Sequence, residues 1–269
     1  MKKDKSILRG AGLVLIGLIG FALPSTCSAW NRIVTLNPMA SEWAAEIMGE
    51  ESALKKIVGV SEYSNFPEYM KKVQTIGPYP QIHIEGVLSL KPDLVVASAE
   101  YNRPEQIEKL KKLKLNVIVL PRESLFKMEE WILAYGKALN EKASALRAVK
   151  KWNLALAEIK KPNSIKNVFL QIQFQPLITV GQKSFLNDAF EIIGFKNIFK
   201  SIDLSYPKIS MEAVIEKNPD EVFVFEMVKN QDDLKKINST WKSSKVRVLN
   251  GDDFSRCSLR LLRALKELR

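Results

Sequence analysis

The feature that most constrains the fold is a segment that occurs twice. Residues 82–96 and 209–223 align without a gap, and both carry Glu, Val, Pro, Asp and Val at the same five places. In each copy, apolar residues recur at helical spacing, a proline then stops the helix, and an apolar stretch follows at 94–97 or 222–225. The repeat therefore predicts a short helix, a tight Pro-Asp turn and a buried strand, built twice in one chain.

The similarity extends upstream of each copy. Both are preceded by Glu, two bulky apolar residues and glycine, at 46–49 and 191–194, which is typical of a helix that ends at glycine. Further apolar strands are predicted at 32–36, 117–120, 168–172 and 246–249, with helices between them. Strands that alternate with helices form parallel sheets. The predicted fold is α/β, with two Rossmann-like lobes that each contain one copy.

A stretch without proline separates the two copies. Residues 125–161 have helical apolar spacing that includes Trp131, Tyr135 and Trp152, and a Pro-Asn-Ser turn follows. We expect this stretch to contain a single long helix that joins the lobes. The predicted division is an N-terminal lobe over 30–137, a linking helix over 138–163 and a C-terminal lobe over 164–269. A ligand is expected in the cleft between the lobes, where pockets commonly lie.

The first 29 residues have the pattern of a secretory signal peptide. A basic start precedes an uncharged apolar run of 13 residues, Ala11 to Leu23, and small residues follow up to Ala29. A retained membrane anchor is the alternative, but the run is short for a spanning helix. Lipid anchoring through Cys27 is disfavoured, because Pro-Ser-Thr precedes it. We therefore expect a periplasmic protein that begins near Trp30.

Charge and cysteine content narrow the function further. The chain carries +11 net charge, but no basic block with interleaved aromatic residues, so nucleic-acid binding is not indicated. Without the signal peptide, Cys257 is the sole cysteine, so an internal disulfide is excluded. The spacing of Cys257 indicates packing within a terminal helix.

Residues for catalysis are not apparent. His83 is the one histidine, too few for a His-rich metal site, and the chain has neither a glycine-rich nucleotide loop nor a Gly-x-Ser-x-Gly motif. We therefore expect no catalytic residue, no metal site and no resident cofactor, and we predict that the protein is not an enzyme.

Segments along nearly the whole chain after residue 29 resemble a known class. These are 32–47, 59–79, 84–96, 168–199, 206–224 and 252–268. The chain resembles the periplasmic substrate-binding proteins with a helical interdomain backbone, which serve type II ABC importers. Within that class it is most similar to the cobalamin-binding family. The resemblance implies a monomer that captures cobalamin or a related corrinoid and delivers it to a permease dimer with its ATPase subunits.

The resemblance also implies roles for individual residues. Glu85 and Glu212, one from each copy of the repeat, are expected to contact basic residues on the two permease subunits. The alternative is that each glutamate only stabilises the start of its helix. The residues expected to line the ligand cleft are Tyr63, Tyr79, Tyr101, Phe174, Tyr206, Asp252 and Arg256.

Arg256 lies off the apolar stripe of the terminal helix, so we expect its side chain to face ligand or water, or to pair with Asp252. Tyr206 and Ser98 stand where cobalamin-binding relatives carry tryptophan, and Ile178 replaces an aromatic residue. An iron–siderophore or haem ligand is therefore the alternative, with His83 or Tyr79 as an axial ligand of haem. An enzyme or a sensor on the same scaffold is the second alternative.

Overall fold

The computed structural model describes residues 30–78, 81–160, 164–225, 239–241 and 245–268. The predicted signal peptide, including Cys27, lies outside these residues. The strands are β1 Ile33–Thr35, β2 Ile57–Val60, β3 Leu94–Ser98, β4 Val117–Leu120, β5 Lys166–Gln173, β6 Ile178–Thr179, β7 Phe195–Asn197, β8 Glu221–Val224 and β9 Lys245–Val248. The α-helices are α1 Pro38–Met48, α2 Glu50–Lys56, α3 Ile84–Ser89, α4 Pro104–Lys112, α5 Met128–Ala138, α6 Lys142–Ala157, α7 Phe185–Ile192, α8 Met211–Lys217, α9 Gly251–Phe254 and α10 Leu259–Leu268. Within the described ranges, no helix has both the length and the apolar character needed to cross a membrane.

The strands form two sheets with the same topology. The first sheet has the order β2-β1-β3-β4, and all its neighbours are parallel. In the second sheet β7, β5, β8 and β9 repeat that parallel order, and β6 adds an antiparallel pairing along β5. The prediction of an α/β fold with two parallel sheets is confirmed. The short strands β2, β6 and β7 were not predicted.

The aspartates of the two Pro-Asp turns make the same contact in both lobes. The Asp93 carboxylate accepts a hydrogen bond of 2.9 Å from the backbone N–H of Arg32. The Asp220 carboxylate accepts one of 2.8 Å from the backbone N–H of Asn167. Each turn is thereby fastened to the start of the neighbouring strand, β1 or β5.

The helices that precede these turns also end alike. Lys91 and Asn218, at equivalent places directly before the proline, have φ angles of 46° and 40°. Upstream, Gly49 and Gly194 have φ angles of 76° and 93°, a backbone conformation that glycine adopts most readily. The predicted helix ends at these glycines are confirmed.

Two helices, α5 and α6, lie between the two sheets in the chain and pack against each other. The chain leaves the helical conformation after α5, where Asn140 has a φ of 61°, and resumes it in α6. At the crossing a Cβ atom on Gly136 would lie 2.1 Å from the Cβ of Ala145, so the close approach of α5 and α6 requires glycine there. The linking helix expected over 138–163 corresponds to α6, Lys142–Ala157. The division of the chain into lobes at those residues stays a prediction.

The lobes share a continuous apolar core. Trp43 of α1 lies at its centre, with its ring 5.9 Å from that of Trp152 and 6.4 Å from that of Trp131. Its indole N–H donates a 2.9 Å hydrogen bond to the carbonyl of Cys257 near the C-terminus. The same cluster includes Val168 and other buried residues of the second sheet. The lobes are therefore joined by side-chain packing as well as by α5 and α6.

Candidate ligand-binding cleft

A cavity of about 390 Å³ lies between the two lobes. This volume is within the usual range of small-molecule sites. The first lobe contributes the start of α1 and the loops after β2 and β3. The second contributes β5, α7, the end of β8 and the region of α9. The lining residues are Asn37, Pro38, Met39, Tyr63, Tyr101, Ile172, Leu186, Tyr206, Phe225, Gly251, Asp252, Phe254, Ser255 and Arg256.

Five of the seven side chains expected in the cleft lie in the cavity wall: Tyr63, Tyr101, Tyr206, Asp252 and Arg256. Phe174 is not among the lining residues. It stands at the turn after β5 and packs against the apolar cluster around Phe169. Phe174 was expected in the cleft because it follows a strand. The regular alternation of side chains ends with the strand, however, so its position along the chain does not determine which way its side chain points. Tyr79 lies outside the described residues.

The remaining lining residues were missed by sequence reasoning. Several follow directly on strands: Asn37 comes two residues after β1, Phe225 directly after β8, and Gly251 three residues after β9. In open α/β sheets, ligands bind beyond the carboxyl ends of the strands. Applied to the strands predicted from the sequence, this rule would have placed Asn37, Phe225 and Gly251 close to the ligand.

Tyr63 stands at the cavity wall in an unusual backbone conformation. Its φ is 66° and its side chain is 49% exposed. Few residues other than glycine adopt this conformation, so neighbouring contacts must hold it. Arg256, from the other lobe, donates a 2.6 Å hydrogen bond to the Tyr63 carbonyl and another of 3.2 Å to the side chain of Asn65. A cleft residue of one lobe is thus positioned by the other lobe.

The Arg256 side chain is buried, contrary to the expectation that it is free to face ligand or water. Its guanidinium lies 3.7 Å from the carboxylates of Glu42 and of Asp252, so the ion pair with Asp252 is present. Arg260 lies 3.5 Å from the same Glu42 carboxylate. Burial raises the pKa of Glu42, against the opposing effects of the nearby Ser258 hydroxyl and of the two arginines. This network connects α1 of the first lobe to the C-terminal helices of the second.

Two cleft tyrosines meet across the lobe interface. The Tyr206 phenol lies near the side chains of Tyr101 and Ser184, and both neighbours favour its charged form slightly. Burial raises the pKa of the Tyr206 phenol to about 12, so this side chain stays neutral near pH 7. The pair forms a polar position in a wall that is otherwise mostly apolar.

Behind this pair lies Glu123, which sequence reasoning missed. The side chain is buried and lies near Tyr101, and its Oε1 has no hydrogen-bond partner among the described residues. Burial, with a smaller contribution from the nearby charge of Glu100, raises the pKa of Glu123 to about 7. A glutamate next to Arg122 gave no signal in the sequence, because only the fold removes it from water.

Glu85 and Glu212 lie outside the cavity, in the first turns of α3 and α8. Both are exposed. Hydrogen bonds from its own backbone N–H and from Ser210 lower the pKa of Glu212, which keeps its carboxylate charged. The two helices occupy equivalent places in the two lobes, so the structure presents one exposed carboxylate per lobe.

Two similar α/β lobes with a mostly apolar cavity between them define a two-lobed solute-binding protein. No group of three or more His, Cys, Asp or Glu side chains placed to hold a metal ion occurs in the part of the chain described. Residues 33–245 match the family model described as Periplasmic binding protein, and the chain belongs to this family. The family consists of periplasmic binding proteins, not enzymes, and its members deliver ligands to ABC importers.

Named relatives cover almost the whole chain. A vitamin B12-binding protein of Salmonella typhi is 30% identical over 272 residues, which cover 98% of this chain and 96% of the relative. The crystal structure of the periplasmic vitamin B12 binding protein BtuF of Vibrio cholerae is similar with a TM-score of 0.73 and 26% identity, covering 89% of this chain and 95% of that one. A periplasmic heme binding protein from Pseudomonas aeruginosa has a TM-score of 0.76 at 22% identity, covering 89% and 91%, which shows the shared fold alone.

Proposed function

We propose that this protein captures cobalamin or a related corrinoid in the cleft between its lobes and delivers it to an ABC importer. The observation that carries the proposal is the cavity wall with Tyr63, Tyr101 and Tyr206, in a chain 30% identical to a vitamin B12-binding protein along nearly its full length. Aromatic side chains suit a broad, flat macrocycle, because they offer a large contact area and lose little conformational entropy on binding.

The distribution of polar groups supports an amphipathic ligand. Phe225, Phe254 and Leu186 provide apolar wall, whereas Asn37 and Asp252 provide hydrogen-bonding groups. A corrin has an apolar ring and a rim of amides that both donate and accept hydrogen bonds. The cavity of about 390 Å³ accommodates part of such a ligand, and the remainder would lie at the cleft mouth beside Tyr63.

Docking to the importer is assigned to Glu85 and Glu212. Among the residues identical in both copies of the repeat, the valines and prolines are buried and the aspartates bind backbone N–H groups. The glutamates are exposed instead, so core packing does not account for their repetition. Two equal charges on two equivalent lobes suit a partner with two identical subunits that carry basic side chains. Export through the predicted signal peptide would bring the protein to that partner.

Calorimetric titration with cyanocobalamin tests the ligand. We expect binding at micromolar or lower concentration, and retention of the red colour on gel filtration. Replacing Tyr63 with alanine should weaken binding by on the order of tenfold, since the ring loses its contact area. Phe174→Ala is the matched control: it also removes an aromatic ring, but one outside the cavity, so affinity should be unchanged. Absence of heat and of retained colour at tens of micromolar would refute the proposal.

Haem or an iron–siderophore complex is the second candidate, because a heme binding protein shares this fold. His83, one of the two axial ligands considered, is exposed at the start of α3 and does not line the cavity. The raised pKa of Tyr206 disfavours the phenolate that iron binding requires. A haem titration followed in the Soret band separates the candidates: a saturating shift without cyanocobalamin binding would favour haem.

A further inference from the structure

Two aliphatic side chains in the repeat do not lie where helical spacing predicts. Leu88 and Ile215 belong to the apolar stripes of α3 and α8, which are expected to face the core. In the structure they are 36% and 68% exposed. Val87 and Val214, one residue earlier in each helix, are fully buried and supply the core contact.

The exposed residues are equivalent to each other and to the glutamates beside them. Leu88 follows Glu85 by three residues, and Ile215 follows Glu212 by three. Side chains three apart on a helix are neighbours, with Cβ atoms about 5–6 Å apart. Each lobe therefore presents the same small surface, a carboxylate with an aliphatic side chain next to it. We call the two surfaces the acidic–aliphatic pairs.

Packing within the chain does not explain these pairs. Neither Leu88 nor Ile215 belongs to an apolar cluster formed by the described residues, although their neighbours in α3 and α8 do. A single exposed aliphatic residue is common on protein surfaces. An exposed one at the same place in both lobes, each time beside an exposed glutamate, requires an explanation that covers both lobes.

We propose that each acidic–aliphatic pair is one docking contact, and that the partner is a pair of identical permease subunits. Each subunit would present a basic side chain beside an apolar recess that receives Leu88 or Ile215. This inference rests on the proposed docking of Glu85 and Glu212. It adds an apolar component and identifies the residues that supply it.

The two components act on different steps of association. Exposed charges steer the approach of the partner, and salt screens their effect. An aliphatic side chain acts only after contact, when it leaves water, so its loss raises the dissociation rate. Ile215 exposes about twice the fraction that Leu88 does, and its contribution should be the larger.

The test measures binding of the purified protein, loaded with cyanocobalamin, to a permease–ATPase importer of the vitamin B12 class in lipid nanodiscs. We expect Ile215→Ala to weaken binding about tenfold and Leu88→Ala about threefold, through faster dissociation. The salt dependence of binding should stay that of the wild type. Leu154→Ala is the matched control, because Leu154 is 58% exposed on α6 and lies outside the repeat, and it should bind like the wild type.

Charge reversal at both glutamates, Glu85→Lys with Glu212→Lys, distinguishes failure of the inference from failure of the proposed function. Loss of binding on charge reversal, with wild-type dissociation for Ile215→Ala and Leu88→Ala, would overturn the apolar component alone. Wild-type binding after charge reversal would overturn the proposed docking and the inference with it. Cyanocobalamin affinity should be unchanged in every variant, since all the substituted side chains lie outside the cavity.

Discussion

The buried carboxyl of Glu123 should make the stability of this protein depend on pH near neutrality. An ordinary glutamate has a pKa of 4.5, whereas burial raises that of Glu123 to about 7. The folded state therefore holds the proton more tightly than the unfolded state. The contribution of Glu123 to the free energy of unfolding is therefore fully present below about pH 4.5. It falls as the pH rises and levels off above about pH 7.

The size of this effect on stability follows from the difference between the pKa values of Glu123 in the unfolded and folded states. A pKa moved from 4.5 to about 7 corresponds to about 3 kcal/mol, of which roughly 2.5 kcal/mol falls between pH 5 and pH 8. Glutamine has nearly the same shape and no charge to bury. Replacing Glu123 with glutamine should therefore remove that part of the pH dependence and make the variant more stable than the wild type at pH 8.

Urea unfolding at pH 5, 6, 7 and 8 measures the effect. The difference in free energy of unfolding between Glu123→Gln and the wild type should grow by roughly 2.5 kcal/mol from pH 5 to pH 8. Glu216→Gln is the control, because Glu216 is exposed on α8 and should leave the wild-type profile intact. Parallel profiles for Glu123→Gln and the wild type would refute the reasoning, since the carboxyl would then titrate alike in both states.

Three further outcomes follow from the contacts that hold the two lobes together. Arg256→Met should lower the free energy of unfolding, measured by urea unfolding, by about 3–5 kcal/mol, because it leaves the buried Glu42 carboxylate with one fewer cation nearby. Adding Glu42→Gln to that variant should restore part of the lost stability, because the unpaired charge is then removed. Gly136→Ala should cost about 1–3 kcal/mol through the clash with Ala145, detected as a lower midpoint of thermal unfolding. Saturation with cyanocobalamin should leave the radius of gyration from small-angle X-ray scattering almost unchanged, because the shared core around Trp43 resists hinge motion; a clear compaction would contradict this.

Sequence reasoning succeeded where a pattern was local and repeated. The Pro-Asp turns, the glycine helix ends and the parallel strands of both lobes follow from spacing within 15 residues, and the repeat doubled the signal. The aromatic cleft residues Tyr63 and Tyr206 came from the resemblance to a family, not from spacing. Their presence in the cavity wall does not depend on any local pattern.

Contacts between distant parts of the chain could not be predicted in this way. Arg256 lies off the apolar stripe of its own segment, which suggests exposure, yet a loop 193 residues earlier in the chain covers it. Leu88 and Ile215 show the opposite error. Helices of six and seven residues bury only one narrow edge, so part of an apolar stripe remains in water. Whether these residues are buried depends on tertiary packing, which cannot be deduced from the spacing of apolar residues in the sequence.

The contact between Trp43 and Cys257 joins residues near opposite ends of the described chain, on opposite lobes. The repeat suggests a duplicated unit, and a duplicated unit suggests two modules that can be separated by cutting the chain between them. The shared core removes that possibility: either half alone would expose the tryptophans and phenylalanines that now cover each other. We expect the two lobes to melt in one cooperative transition, and a chain cut between them to recover its fold only when both fragments are mixed.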